Sequence, residues 1–334
     1  MIPGSNAPEA TSRLPAHWRH RLAGDHAALA LRAVLIALIG LALALSSDAF
    51  LSTANVLNVL RQASLIFLLA AGLTLVILCG GFDLSVAANL TLSACLAAGV
   101  IKAGFSPWLG VVTALACSTA AGALNGLAVT LLRLPPFLAT YAMLWILQGL
   151  AFHYMGGQEI FGFPPAFRAL GTGFLLGVPV PVYLMAAVLV AATIFMRSTN
   201  LGQEIYAVGA NPEAARLSGI PVRRRQMLVY MLSGLMSGIA AVVFLARVNA
   251  ADAGMGEPLL LPVIAAVLIG GTSLFGGVGS VLGTVLGSII LALVINGMNL
   301  LDIRAQWQPL VVGVVLLAAV MVDLVGRGRR ERIG

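Results

Sequence analysis

A chain of 334 residues that is 60% hydrophobic, only 9% charged and +7 in net charge, with a mean hydropathy of +1.01, is not a soluble domain, which carries about 25% charged residues. Its apolar residues fall in runs of about 17 to 25, each long enough at about 1.5 Å per residue to cross a hydrocarbon core of about 30 Å. Such runs must be helical, because lipid cannot satisfy exposed backbone amides, and the period-2 alternation of a transmembrane barrel is absent.

The chain opens with a polar, basic segment, residues 1–29, which is longer than the charged region of a cleavable signal and is read as preceding a retained first span. Ten crossings are expected, at about 30–46, 62–79, 84–103, 107–131, 137–154, 174–196, 226–247, 259–274, 280–298 and 307–325. They make an all-α polytopic membrane domain over 30–326, followed by a short tail, 327–334. With the N-terminus inside, fourteen basic residues fall on the inner side and only Arg61, Lys102, Arg168, Arg247 and Arg304 on the outer. That asymmetry is the positive-inside rule and supports the count and the orientation together. It also accounts for the net charge without nucleic acid, which is not an expected partner. Cys79, Cys95 and Cys117 sit within apolar runs without C-x-x-C spacing, as small core residues do.

A glycine-broken pattern occurs twice. VILCGGFDLS, from Val76 to Ser85, and AVLIGGTSLF, from Ala266 to Phe275, share an apolar entry, a Gly-Gly pair, a polar residue and then Leu, at a constant offset of 190. Interrupted spans at matching places in two halves point to a transport pathway, because unwound backbone can line a cavity but cannot face lipid. Gly-Gly also serves close helix packing, and both readings stand on the sequence alone. The stretch 269–283 is too glycine-rich for an unbroken helix, so a re-entrant pair of half-helices is an alternative to two full crossings there. The residues assigned to the broken helices and the pathway are Gly80, Gly81, Phe82, Asp83, Ser85, Asn89, Asn125, Gly270, Gly271, Thr272, Ser273 and Asn296. The polar ones suit a neutral polyhydroxyl solute and serve equally as hydrogen-bond glue between helices. Asp83, an acid among apolar residues, is expected to be the N-cap of the helix that restarts after Gly80-Gly81. A cap of that kind also shapes the cavity that its helix lines.

The longest hydrophilic inner loop runs from Arg197 to Arg225. Within it Asn211-Pro212-Glu213 reads as N-cap, first-turn proline and first-turn acid, and Gly219 and Pro221 read as the stop. The enclosed helix, Pro212 to Ser218, is too short to persist alone in water and must dock on something. That something is its own chain, the lipid interface or a cytoplasmic partner. The chain carries no G-x-x-x-x-G-K-[ST] phosphate loop and no H-E-x-x-H cluster, so neither ATP hydrolysis nor metal catalysis is expected of it.

Five stretches in this order resemble the permease of bacterial ABC sugar importers, in the ribose, xylose and arabinose branch: GGFDLSVAANLTLSA, GALNGLAVTLLRLPPFLAT, YAVGANPEAARLSGIPVRR, IGGTSLFGGVGSVLGTVLG and INGMNLL. The resemblance implies a non-catalytic permease subunit in the bacterial inner membrane, with both termini cytoplasmic. It implies a second copy of the permease or a homologous permease, a cytoplasmic ATPase that uses ATP and Mg, and a periplasmic sugar-binding protein that delivers a monosaccharide. No cofactor is implied for this chain, whose surroundings are membrane lipid. In the family the loop matching Asn211, Glu213, Ala214, Ala215, Arg216, Leu217, Ser218 and Gly219 couples to the ATPase. The chain departs from the commonest pattern at Leu260-Leu261-Pro262, where many members have Glu-Leu-Asp, and at Ala87, where a glycine is frequent. Related permeases for branched-chain amino acids or nucleosides, and an ion-coupled secondary transporter, are the competing readings.

Overall fold

A computed structural model describes residues 16–331. The first half of the expected N-terminal segment and the last three residues of the tail lie outside the described residues. The chain is helical almost throughout: α1 (Ala16–Ser46), α2 (Thr53–Leu78), α3 (Val86–Lys102), α4 (Pro107–Thr130), α5 (Pro136–Met155), α6 (Pro165–Thr172), α7 (Val180–Ser198), α8 (Asn200–Ala210), α9 (Pro212–Leu217), α10 (Val222–Val248), α11 (Leu260–Ile269), α12 (Val281–Leu300) and α13 (Gln308–Glu331). Two short antiparallel ladders are the strands among the described residues. One pairs β1 (Ile160–Phe161) with β4 (Ala250–Ala251), and the other pairs β2 (Phe174–Leu175) with β3 (Val178–Pro179).

The helices start where the sequence supplies caps. Ser52 accepts the Asn55 amide ahead of α2, Ser106 accepts the Trp108 amide ahead of α4, and Ser280 accepts the Gly283 amide ahead of α12. α2 begins well before the expected residue 62, because this cap starts a helix whose first turns carry Asn55, Asn58 and Arg61 and are not apolar. The expected crossing at 174–196 begins later, at Val180, because its first residues form the β2–β3 hairpin.

Six of these helices are long and apolar enough to cross a membrane: the Leu29–Ser46 part of α1, with α2, α4, α7, α10 and α12. Val86–Lys102, Glu257–Ile269 and Ala305–Met321 are shorter apolar helices, and α5 has 20 residues. Ten apolar helical segments therefore stand where ten crossings are expected, but the eighth is reduced. α11 stops at Ile269 instead of 274, and its 10 residues span about 15 Å, half of a hydrocarbon core.

α2 is the axis of the bundle, with 83% of its apolar stretch buried, whereas the outer α1 has 6% buried and turns its leucines outward. Apolar association offers little in lipid, so helices there pack through small residues. Gly122 and Gly126 of α4 face Gly234 and Met227 of α10, so closely that a methyl group on Gly234 would lie 2.3 Å from the Ser118 carbonyl oxygen. Gly283 and Gly287 of α12 bring it against the carbonyls of Gly270 and Ala266 at the end of α11 in the same way.

Candidate functional site

The two glycine breaks are the same device, one residue out of the expected register. After α2, Gly80 takes φ +79° and the chain closes with Gly80 N–H donating to Ile77 O (2.9 Å) and Gly81 N–H to Val76 O (2.9 Å). After α11, Gly271 takes φ +78°, with Gly271 N–H to Leu268 O (2.8 Å) and Thr272 N–H to Val267 O (3.2 Å). Both are Schellman stops, which need a residue in the left-handed region and therefore favour glycine. Gly80 corresponds to Gly271 and Gly81 to Thr272, an offset of 191. The sequence offset of 190 aligns the glycine pairs, whereas the backbone aligns the left-handed positions.

The two breaks resume differently. After the first, the helix restarts at Val86; after the second, a loop through Gly276 (φ +84°) and Gly277 (φ +69°) delays the restart to Val281. The loop is pinned at both ends. Arg32 of α1 donates Nε–H to the Ile269 carbonyl (2.9 Å), and the Tyr206 hydroxyl of α8 donates to the Gly279 carbonyl (2.9 Å). The loop also reaches the first break, where Gly277 N–H donates to the Leu78 carbonyl (3.0 Å).

Asp83 is 2% exposed and is not the N-cap of α3; Ser85 holds that position, without a side-chain cap bond. Asp83 sits two residues earlier. Its Oδ1 accepts the Ser85 amide (3.0 Å) and hydroxyl (2.7 Å), and its Oδ2 accepts the Ser233 hydroxyl of α10 (2.9 Å). This Asx turn does a cap's work one step upstream, because the Leu84-Ser85 pair must bend before the helix can begin. Ser85 Oγ in turn accepts Asn125 Nδ2–H from α4 (2.7 Å), so one carboxylate links the first break to α4 and α10. Neither ion pair among the described residues involves Asp83.

The backbone beside it is held as well. Thr140 of α5 donates Oγ1–H to the Phe82 carbonyl (3.2 Å) and accepts the Leu84 amide (3.2 Å), and Tyr230 of α10 donates its hydroxyl to Phe82 O (3.2 Å). Phe82 leans on Phe137, at the start of an exposed ladder along α5. Phe137 stacks on Tyr141 (6.2 Å), and Tyr141 meets Trp145 edge-on (6.3 Å).

The remaining sequence-assigned residues divide. Asn89 donates to the Ser118 carbonyl (3.0 Å) and accepts the Ser93 hydroxyl (3.3 Å), close to the same helices. Thr272 and Ser273 are buried in the second break. Asn296 stands apart: it exchanges two amide hydrogen bonds with Asn55 (3.1 and 2.7 Å), at the start of α2 and so far from both breaks. Tyr230, Ser233 and Thr140 were not legible as site residues, although the repeat SGLMSG (Ser233 to Gly238) places two Ser-Gly pairs four apart, on one face of α10.

The hydrophilic segment between α7 and α10 folds into α8 and α9. Thr199 caps α8 through the Gly202 amide (3.1 Å), and the Arg225–Glu204 ion pair ties α8 to the start of α10. Asn211 Oδ1 accepts the amides of both Glu213 and Ala214 (3.0 Å each), Pro212 opens α9, and Gly219 (φ +82°) closes it, with Ile220 N–H donating to Ala215 O (3.0 Å). Arg216 binds Glu213 through two hydrogen bonds (3.1 and 2.5 Å), which holds the Glu213 carboxyl below its usual range and raises the guanidinium. Six residues would not stay helical alone. The Asn211 cap, the Gly219 stop, this ion pair and the burial of Ala215 hold them. Every other residue of α9 is exposed, Leu217 to 75%, which is high for a large apolar side chain.

Residues 55–320 match the family model described as "Branched-chain amino acid transport system / permease component". The chain is 39% identical over 279 residues to the ribose import permease protein of Bacillus subtilis (strain 168), covering 83% of this chain and 87% of that one. It is 40% identical over 293 residues to the ribose import permease protein of Escherichia coli (strain K12), covering 86% and 91%. It is also 35% identical over 294 residues to that organism's D-allose transport system permease protein, covering 87% and 89%. No solved structure matches the chain. The protein belongs to this family of multi-pass permease components.

Proposed function

We propose that this chain is the permease subunit of an ABC importer that carries a monosaccharide across the bacterial inner membrane. The observation that carries the reading is similarity over more than four-fifths of the chain to permeases named for ribose and D-allose, which extends across both breaks and the inner loop. Two copies enclose the path, and the exposed aromatic ladder of α5, joined to the first break through Phe82 and Phe137, forms part of its wall. A cytoplasmic ATPase seats α9, and a periplasmic binding protein docks at the opposite end of the bundle. Arg247, hydrogen-bonded to Asn58, stands at that end.

The pathway needs only weak contacts with sugar, since tight binding inside the membrane would slow release. Selectivity rests with the binding protein. Reconstituting the permease with its ATPase and binding protein and screening solutes for stimulated ATP hydrolysis tests this. Ribose or a related monosaccharide is expected to stimulate at least fivefold, and leucine or a nucleoside not at all. Stimulation by a branched-chain amino acid alone would assign the chain to the other branch of its family.

A further inference from the structure

Glycines from three separate parts of the chain meet beside α9. Gly209 is the penultimate residue of α8, two before the α9 cap; Gly80 is the left-handed stop of α2; Gly276 and Gly277 lie in the turn between α11 and α12. A methyl group on Gly209 would lie 1.8 Å from the Leu78 carbonyl oxygen and 2.7 Å from Gly277 N. One on Gly276 would lie 2.8 Å from the Gly209 carbonyl oxygen and 2.9 Å from Gly80 Cα, and one on Gly277 would lie 2.7 Å from Ala210 Cα. The Gly277 N–H donates to the Leu78 carbonyl across this point, and Tyr206, one turn back on α8, holds Gly279. Ile205 and Val208 of α8 are buried among Leu78, Cys79, Tyr230 and Val281, so the helix end is locked from its apolar side too.

We infer that Gly209 is a positioning residue for transport: it locks the end of α8, and α9 that follows it, to the end of α2 and to the loop between α11 and α12, so that a push on α9 displaces the end of α2 and that loop together. The inference rests on the assignment of α9 to the ATPase. Its physical basis is that backbone packed on backbone at van der Waals distance has no side chain to yield. A displacement of Ala210 is therefore transmitted to Leu78 and Gly277. Were α9 instead hinged at Asn211, which is extended (φ −159°), it could move without α8, and Gly209 would then be indifferent to transport.

The test uses the assembled permease and ATPase in proteoliposomes with the binding protein present. Gly209→Ala, Gly277→Ala and their double variant are compared with Gly156→Ala, whose glycine is left-handed (φ +58°) like Gly277 but has open space around it. Both junction variants are expected to bind the ATPase within twofold of the parent and to lose at least tenfold in ATP-driven uptake. The double variant should lose no more than the worse single one, because neighbours acting through one contact are not additive. Gly156→Ala should keep uptake within twofold. Normal uptake in Gly209→Ala, multiplying losses in the double variant, or loss of ATPase binding in Gly209→Ala would each overturn the inference. A charge swap on α9, Glu213→Lys with Arg216→Glu, fails separately: if it leaves ATPase binding intact, the assignment of α9 is wrong whatever Gly209 does.

Discussion

Replacing Asp83 by Leu is expected to destabilise the detergent-solubilised permease by about 3 kcal/mol, while Asp83→Asn costs about 1 kcal/mol or less. The difference follows from three donors that converge on one carboxylate, the Ser85 amide, the Ser85 hydroxyl and the Ser233 hydroxyl, all buried. Leucine leaves each without an acceptor where water cannot replace it. Asparagine keeps an oxygen for the two Ser85 donors and offers its amide to Ser233. The thermal or denaturant midpoint of each variant measures this. Equal loss in both would show that the negative charge, not the hydrogen bonds, is what the site requires.

The second large effect is on assembly. Glu213→Lys with Arg216→Glu is expected to weaken association with the ATPase at least tenfold, about 1.4 kcal/mol, with membrane insertion unchanged. The structure makes the swap a clean test. Glu213 and Arg216 bind each other, so the exchanged pair can re-form within the helix while the charge pattern shown to a partner is reversed. The cost to α9 itself is confined to its dipole, which solvent screens at two exposed side chains. Co-purification of the ATPase with the double variant reads the result. An unchanged yield would remove α9 from the interface.

The elements that declare themselves locally were legible in the sequence. Asn211-Pro212-Glu213 and Gly219 specify α9 to within a residue, because a cap, a fixed φ and a left-handed stop are all encoded in adjacent side chains. The glycine breaks were legible as breaks for the same reason. Their register was not, since Gly270 and Gly271 look alike in sequence and only backbone geometry shows which one is left-handed. The place of Asp83 was misread by two residues because an Asx turn and an N-cap use the same residue types at neighbouring positions. The network around Asp83 was hidden: Ser233 lies 150 positions from it and Asn125 lies 40 from Ser85, and nothing local marks which face of α10 or α4 meets the break. The meeting of Gly209 with Gly80 and Gly277 was hidden in the same way, since close approach of three backbones leaves no pattern along any one of them. The glycine-rich stretch 269–283 was legible as a break, but not the residue at which α11 ends, because the stop depends on which glycine turns left-handed.

ATP-driven uptake decides most directly whether this chain is one subunit of an importer or a transporter in its own right. Uptake of the radiolabelled monosaccharide that stimulates ATP hydrolysis most is measured in proteoliposomes containing the permease alone under a proton or sodium gradient, and in proteoliposomes containing permease and ATPase with ATP inside and binding protein outside. The account predicts uptake only in the second, abolished when ATP is replaced by a non-hydrolysable analogue. Gradient-driven uptake by the permease alone would contradict it.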